Sequence, residues 1–476
     1  MRDRTPLTCT SLLLALLLGG ALLGGGPTVM AAPPQDAGND DDDDKPKGPS
    51  PDDKGEEDRI KLAELDPAFQ ERVNAAVGRA IPYLLSRQAP DGHWPTMHDN
   101  VEHGPFPHGG TALVLLTLLK AGHPAVADEI AKGIKFLQDS WANFKSGGFM
   151  ASKSGWKTYE VGLTLMMLEA MAHWRPQSVK KGHTEAVGAA FKPAWSQWVK
   201  ELRDFLINNI ALSRQESFSS KQGGSGLVDR KETWSYPGTQ KNISDHSNTQ
   251  YAVLGLHAAQ KLNEPTPAAI WIGILEGMIF TQAESGPTVP RKLAPPRKAN
   301  DPYVHKPGTV SGMNDRARGW GYGGGAKPAA GSGQQAETGS MTTVGLACVA
   351  LAWHNLGQGR DKDGVKYVRD RKNIQAKDRS LDDGFAWLDH NWDVTKNPNY
   401  GIWHYYYVYG LERAGILGGR QMIGGHDWYR EGGEMLLAQQ RGSMWDDGNG
   451  DGPEVSTCFA LLFLTRATVP LTAKTR

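Results

Sequence analysis

The feature that most constrains the fold is an alternation of two kinds of apolar segment along residues 61–476. Segments of the first kind are amphipathic, with apolar residues at helical spacing on one face, as in Val73, Val77, Ile81 and Leu84. Segments of the second kind are apolar almost all round and rich in small residues, as in Val161–Leu168. A helix that is apolar on every side must be buried on every side, whereas an amphipathic helix covers a core.

This alternation predicts two concentric rings of helices. The segments that are apolar all round are 111–119, 161–168, 250–256, 343–351, 403–411 and 456–464. One helix pair cannot bury its own apolar face, so about six pairs should close on one another with these segments inside. The predicted fold class is therefore all-α: an α/α toroid of about six helix pairs, with an inner and an outer ring, over residues 61–476.

The region before the toroid is predicted to be a signal peptide followed by a linker. In residues 1–32, Arg2 and Arg4 precede the apolar run Leu12–Leu23, and small residues follow, as in a secretory signal. Residues 33–60 carry the acidic run Asp40–Asp44 and are predicted to be a disordered acidic linker. We expect an exported protein, periplasmic, cell-surface or secreted, with no transmembrane segment in the mature chain.

Charge and cysteine content limit the partners and the chemistry. The formal net charge is zero, so no basic surface predicts a nucleic-acid partner. Apart from Cys9 in the signal segment, the cysteines are Cys348 and Cys458, each within an apolar helical segment. We expect both to be small buried side chains, with a disulfide between them as the open alternative.

A motif at the junctions between helices resembles a known family. Gln88, Gly92 and Trp94 are spaced as Gln-x3-Gly-x-Trp, and weaker copies occur at 282–286 with 319–320 and at 439–445. This motif resembles that of squalene and oxidosqualene cyclases, where it joins an outer helix to the next inner helix. The chain is thus similar to the squalene cyclase/prenyltransferase-like toroid superfamily. Segments such as 403–413 resemble the squalene-cyclase-like repeat proteins of planctomycete-type bacteria.

The reactions of that superfamily are not predicted for this chain. Squalene cyclases start one inner helix with Asp-x-Asp-Asp-Thr, whose middle Asp protonates an alkene. The corresponding segment here is Asp245–Thr249, in which Ser247 takes the place of the proton donor. A serine hydroxyl is too weak an acid for that step. Cys348 and Cys458 also lack the neighbours that a prenyltransferase zinc site or a thioester requires.

A candidate site is expected where the inner helices begin. Parallel inner helices bring their amino termini to one end of the ring, where free N–H groups attract anions. The candidate acid–base residues there are Glu160, Asp245, His246 and Glu454, and the candidate ligand-binding residues are His108, Trp156, Trp403, His404 and Tyr405. Helix capping and aromatic core packing remain open as alternative roles for these residues.

Two polar segments could hold a metal. Asp447, Asn449 and Asp451 match the first half of a calcium loop, but Cys458 stands where a bidentate Glu is expected. Calcium at these three residues is therefore an alternative to a simple turn, and no other cofactor is predicted. The histidines at 93, 98, 103 and 108 recur every five residues, for which a polar loop is the alternative to a metal site.

Two functions remain open. The first is binding of an apolar or extended small-molecule ligand, or of a protein partner, at the central cavity without cyclase activity. The second is an enzyme that acts on an isoprenoid, lipid or glycan with carboxylate and histidine groups at the cavity mouth. A buried carboxylate–histidine pair would favour the enzyme, whereas side chains that fill the inner ring would weaken both ligand hypotheses.

Overall fold

The computed structural model describes most of the predicted toroid. The described residues are 66–96, 107–146, 158–174, 191–217, 233–234, 246–293, 308–323, 336–358, 361–448 and 451–471. The predicted signal peptide and acidic linker lie outside these ranges. Within them the chain forms thirteen helices and one two-stranded sheet.

The helices fall into two sets, and the strands form one hairpin. The inner set is α2 (Pro107–Lys120), α4 (Thr158–Ala172), α6 (His246–Lys261), α8 (Gly339–Gln358), α11 (His404–Leu417) and α13 (Gly452–Leu464). The outer set is α1 (Pro67–Ser86), α3 (Asp128–Lys145), α5 (Trp195–Ser217), α7 (Ala268–Thr281), α10 (Arg371–His390) and α12 (Trp428–Gln439), with the short α9 (Lys362–Arg369) beside it. The strands are β1 (Thr288–Leu293) and β2 (Gly308–Arg316).

The inner helices form a closed ring. Each packs against the next in the order α2, α4, α6, α8, α11, α13, and α13 packs against α2. Close approach depends on small residues: a Cβ at Gly162 of α4 would lie 2.2 Å from the carbonyl oxygen of Tyr251 in α6. The contacts confirm the predicted α/α toroid of six helix pairs.

The outer helices bury one face each. In α3, Ile130, Ile134 and Leu137 are buried, whereas Lys135 and Asp139 form an exposed ion pair on the opposite face. Each outer helix packs on one or two inner helices, and α1 packs on both α12 and α13. The amphipathic spacing seen in the sequence therefore corresponds to a covering layer.

A tryptophan connects the outer to the inner ring at four junctions. The backbone N–H groups of Trp94, Trp234, Trp320 and Trp445 donate to a threonine hydroxyl of the following inner helix, at 3.0 to 3.2 Å. Each indole N–H donates to a carbonyl oxygen of the preceding outer helix, at 2.7 to 2.9 Å. The junction at Trp234 carries this geometry without the Gln and Gly of the motif, so the sequence did not predict it.

A glutamine connects neighbouring outer helices at three junctions. The side-chain amides of Gln88, Gln282 and Gln440 donate to the backbone carbonyls of Glu129, Ser380 and Ala76, at 2.9 to 3.0 Å. The sequence motif placed Gln439 in this role, but the next residue, Gln440, makes the bond. Because Ala76 belongs to α1, this last bond closes the outer ring.

The segment between α7 and α8 contains an element that the sequence did not predict. Strands β1 and β2 pair antiparallel, with a register shift between Pro290 and Lys292. Arg291 pairs with Asp315 across the hairpin and with Asp382 of α10 at 2.9 Å, which holds the hairpin on the outer ring.

Two further expectations concern cysteine and membranes. Cys348 and Cys458 are buried and free, so the disulfide alternative does not hold. No helix in the described ranges combines the length and apolar character that a membrane span requires.

Candidate functional site

The amino-terminal ends of the inner helices meet at one end of the ring, which we call the mouth. Tyr159 at the start of α4 contacts Ser247 at the start of α6, and Ser340 of α8 bonds to Asn397 just before α11. At the opposite end, which we call the far end, Lys120, Glu169 and Lys261 meet near the last turns of α2, α4 and α6. Amino-terminal ends contact amino-terminal ends, and carboxyl-terminal ends contact carboxyl-terminal ends, so these inner helices run parallel.

His108 and Glu160 form a buried pair at the mouth. The imidazole Nδ1 lies 3.5 Å from the carboxylate Oε1, and the two side chains are 2% and 0% exposed. Phe136 stacks on His108 at 5.6 Å between ring centroids. Gly109 allows this approach, because a Cβ there would lie 3.2 Å from Cγ of Glu160. The two atoms are within ion-pair distance but make no aligned hydrogen bond with each other, and proton transfer requires about 2.6–3.2 Å between heavy atoms. The pair would therefore have to close further before it could relay a proton.

Glu454 is held in an ion pair between rings. Its carboxylate accepts from Nε of Arg87 at 2.8 Å and from the Tyr83 hydroxyl at 3.3 Å. Burial, and then the charge of Glu454, raises the pKa of Tyr83 to about 12. The pair connects α1 to the first turn of α13, and so contributes to ring closure.

His246 is saturated by hydrogen bonds to neighbouring elements. Nε2 lies 2.9 Å from the Thr281 hydroxyl, and Nδ1 lies 2.7 Å from the carbonyl oxygen of Gly321. Burial lowers the pKa of His246 to about 4, so the imidazole is neutral at pH 7. Both ring nitrogens thus position α6 against its neighbours. Asp245, which was predicted alongside it, lies outside the described residues.

His404 and Tyr405, predicted as ligand-binding residues at the start of α11, point away from the ring interior. Nε2 of His404 bonds to the carbonyl of Val394 at 2.8 Å, and the Tyr405 hydroxyl donates to Gln439 of α12 at 3.1 Å. Trp403 adopts a left-handed conformation (φ 62°), which is rare for a bulky side chain and costs on the order of 1–3 kcal/mol. Trp156, the other predicted aromatic, lies outside the described residues.

The predicted calcium residues are only partly described. Asp451 is buried just before α13, and Asp447 acts electrostatically on His404 and Tyr405. Asn449 lies outside the described residues. No group of three metal-ligating side chains occurs within the described part of the chain, so the calcium site stays a prediction.

The ring interior is lined by aromatic side chains from several inner helices. The Tyr406 hydroxyl of α11 donates to Oε1 of Gln250 in α6 at 2.8 Å, and the Tyr406 ring lies 6.4 Å from Tyr251 and 5.8 Å from Phe459. Because α6 and α13 lie on opposite sides of the ring, Tyr406 must face its centre. The interior residue is thus one position beyond the predicted Tyr405, about 100° further round the helix.

Arg413 lies on the same face of α11, deeper in the ring. Its guanidinium carbon is 3.9 Å from the centroid of the Tyr409 ring, and the residue is 1% exposed. None of its three nitrogens has an aligned hydrogen-bond acceptor among the described residues. Glu412 is directed elsewhere, since its carboxylate accepts from Thr468 at 2.6 and 3.0 Å. The sequence signal for this residue was a charged pair inside an otherwise apolar segment.

Two closed helical rings and their tryptophan and glutamine junctions make this chain an α/α-toroid protein. No protein-family model matches the chain, and no curated protein matches its sequence. Among solved structures it is similar to a type II terpene cyclase, MstE from Scytonema, in complex with geranylgeranyl dihydroxybenzoate. The identity is 10%, the match covers 85% of this chain and 98% of that chain, and the TM-score is 0.41.

A second similar structure is the GH76A alpha-1,6-mannanase from Salegentibacter sp. HEL1_6. The identity is 10%, the match covers 84% of this chain and 98% of that chain, and the TM-score is 0.44. A cyclase and a mannanase catalyse different reactions, so these similarities do not select an activity for this chain. The function must be argued from its own side chains.

Proposed function

We propose that this is an exported protein that binds an apolar or extended small molecule inside the ring of inner helices and does not cyclise it. The observation that carries the proposal is the inward face of α11. Tyr406, Tyr409 and Arg413 follow one another at helical spacing and present aromatic and polar groups where a purely structural core would be aliphatic. Such a lining offers apolar contact together with a few orienting polar groups.

The lack of cyclase activity in this proposal rests on Ser247. This residue stands where the related cyclases carry their proton donor, and its hydroxyl contacts the hydroxyl of Tyr159. Two hydroxyl groups supply no strong acid, so protonation of an alkene has no source at this position.

Native mass spectrometry tests the proposal. We expect a small molecule to accompany the folded protein and to leave it on denaturation. Gln250→Trp, which enlarges a side chain of the ring interior, should abolish the adduct. Gln375→Trp, the same change at an exposed position on α10, should keep it. Protein purified without any adduct, or an adduct that Gln250→Trp retains, would contradict binding in the ring.

A second candidate function is favoured by the His108–Glu160 pair. In this version the protein is an enzyme that acts on an isoprenoid, lipid or glycan, with the buried imidazole and carboxylate as the acid–base pair at the mouth. General acid–base catalysis contributes about 10²–10⁴ in rate. Glu160→Gln should therefore lower by about that factor any hydrolysis of 4-nitrophenyl esters or glycosides.

His123→Gln provides the matched control for this test. His123 and Glu129 form a pair of the same chemistry, 2.7 Å apart, but they lie at the outer ring. Activity that falls equally in both variants, or that survives Glu160→Gln, would rule out the mouth pair as the acid–base group.

A further inference from the structure

Arg413 is a buried cation that forms no ion pair within the described part of the chain. Its neighbours in electrostatic range are the phenols of Tyr409, Tyr251 and Tyr406, and those of Tyr409 and Tyr251 are weak hydrogen-bond partners. Burial raises the pKa of Tyr251, so this phenol stays un-ionised. The adjacent Glu412 bonds to Thr468 but is also within electrostatic range of Arg413, and burial raises the pKa of Glu412 to about 7. An arginine does not deprotonate in proteins, so the positive charge persists inside the ring.

The geometry around Arg413 suits one oxyanion. One face of the guanidinium lies over Tyr409, and its nitrogens make no well-aligned hydrogen bond among the described residues, the phenols of Tyr409 and Tyr251 being weak partners only. An arginine edge donates two parallel hydrogen bonds to a planar carboxylate. A charge without such a partner in a dry interior is costly, so an anion at this edge would be bound strongly.

The depth of Arg413 in the ring restricts the shape of a ligand that can reach it. The residue is nine positions beyond His404, which places it about 14 Å from the mouth along α11. Between the two levels lie Tyr406, Tyr409 and Phe459, whose rings pack against one another. Asp451, whose charge also acts on Tyr251, precedes α13 and so lies at the mouth end. A ligand that reaches Arg413 from the mouth must therefore pass between or displace these rings, which favours a slender apolar body behind an anionic head.

We propose that Arg413 binds the carboxylate of a slender, apolar monocarboxylic acid whose chain lies along the aromatic side chains of the ring interior. This inference rests on the proposed ligand-binding function and assigns the chemical class of that ligand. A single cation matches a single negative charge, which favours a carboxylate over a doubly charged phosphate.

Two ligands that differ only in charge test the inference. Protein of residues 33–476, freed of bound lipid, is titrated by calorimetry with dodecanoate and with 1-dodecanol. We expect dodecanoate to bind at least tenfold more tightly. Arg413→Met should abolish that preference without lowering the melting temperature, because replacing an unpaired buried charge by an apolar side chain of similar volume is often neutral or stabilising.

Arg466→Met is the matched control variant. Arg466 also lies over a tyrosine ring, 4.9 Å from the centroid of Tyr429, but next to the end of α13. Its substitution should leave the preference for dodecanoate unchanged. If Arg413→Met does not fold, the comparison of ligands on the wild-type protein still decides the charge preference, and Arg413→Gln locates it.

The outcomes separate this inference from the function on which it rests. Equal binding of dodecanoate and dodecanol would overturn the role of Arg413 and leave ligand binding in place. Binding of neither compound, with no adduct in native mass spectrometry, would remove both. Competition by inorganic phosphate at the concentration of dodecanoate would assign the site to a free oxyanion and overturn the carboxylate assignment.

Discussion

The two ends of the inner ring contain similar residue types but arrange them differently. At the mouth, the carboxylate of Glu160 faces one imidazole, that of His108, at 3.5 Å. At the far end, the carboxylate of Glu169 faces the ammonium groups of Lys261 at 2.8 Å and Lys120 at 3.7 Å. A carboxylate between two lysines is fixed as an anion, whereas one beside an imidazole can share a proton. The far-end carboxylate is therefore held by two opposite charges, whereas the mouth carboxylate has a single imidazole beside it.

The helix dipoles explain this division. The carboxyl ends of the inner helices carry partial negative charge, which Lys120 and Lys261 offset as last residues of α2 and α6. Burial by itself would raise the pKa of Glu169, but the charges of Lys120 and Lys261 outweigh burial and lower it to about 2. The amino ends at the mouth have the opposite polarity, which favours carboxylates without any lysine.

The largest expected effect concerns Glu412, a second far-end carboxylate, whose pKa is shifted in the opposite direction to that of Glu169. The pKa of Glu412 is raised from 4.5 to about 7, so its contribution to stability is present below pH 4.5 and is lost as pH rises through 7. The wild-type protein should therefore lose on the order of 3 kcal/mol of unfolding free energy over this pH range. The Glu412→Gln variant, which has no titrating carboxyl at this position, should not show that loss. Urea unfolding of both proteins at several pH values measures it. Parallel curves for wild type and variant would show that Glu412 does not titrate in this window.

The next effect compares carboxylates at the two ends. Glu169→Gln leaves two partly buried lysines facing each other and should lower the free energy of unfolding at pH 7 by about 2 kcal/mol. Glu454→Gln at the mouth should cost less than about 1 kcal/mol, because Arg87 is half exposed and can be hydrated. Chemical denaturation of the two variants gives the comparison. Equal losses would contradict the view that the far end is the more stabilising of the two.

The same comparison predicts an acid limit. Because the pKa of Glu169 is lowered from 4.5 to about 2, its contribution is present above pH 4.5 and is lost as pH falls through 2. Glu169→Gln should thus be closest to wild type in stability near pH 2. Melting temperatures of the two proteins at pH 2.5 and pH 7 test this, and a constant difference between them would exclude an electrostatic role.

The smallest effect concerns hydrogen bonds at the two ends. Thr342→Val removes the acceptor for the buried N–H of Trp320 at the mouth junction and should cost about 1 kcal/mol. Thr465→Val at the far end removes a hydroxyl that donates only to backbone carbonyls of the preceding turn, those of Leu461 and Leu462, and should cost less than about 0.5 kcal/mol. Thermal melts of the Thr342→Val and Thr465→Val variants measure the two losses of stability. A larger loss for Thr465→Val would show that the tryptophan junctions contribute little to stability.

The ring architecture was predictable because burial leaves a direct record in the sequence. Segments such as 343–351 are apolar on every side, and the structure buries α8 almost completely. The same all-round apolar character leaves the rotation of an inner helix about its own axis unpredictable from the sequence. With no polar face in α11, nothing in the sequence decides whether Tyr405 or Tyr406 faces the centre, and the prediction chose Tyr405.

The sequence predicted a group of residues at the mouth but not which of them contact one another. The sequence placed His108, Glu160 and His246 at helix starts, but not which of them would meet. His108 meets Glu160 because α2 and α4 are neighbours and Gly109 lets them approach, whereas His246 bonds to Thr281 and Gly321. Such choices depend on side-chain directions that a single sequence does not contain.

The bond from Gln440 to Ala76 has a consequence for how this architecture can change in evolution. In an open solenoid a repeat can be gained or lost at an end, and capping repeats shield the last apolar face. Here α1, the first outer helix, covers the last helix pair (α12 and α13), and that pair in turn covers α1. Duplicating or deleting one helix pair would break that mutual protection, whereas an insertion at a junction, such as the one that contains β1 and β2 between α7 and α8, leaves both rings intact.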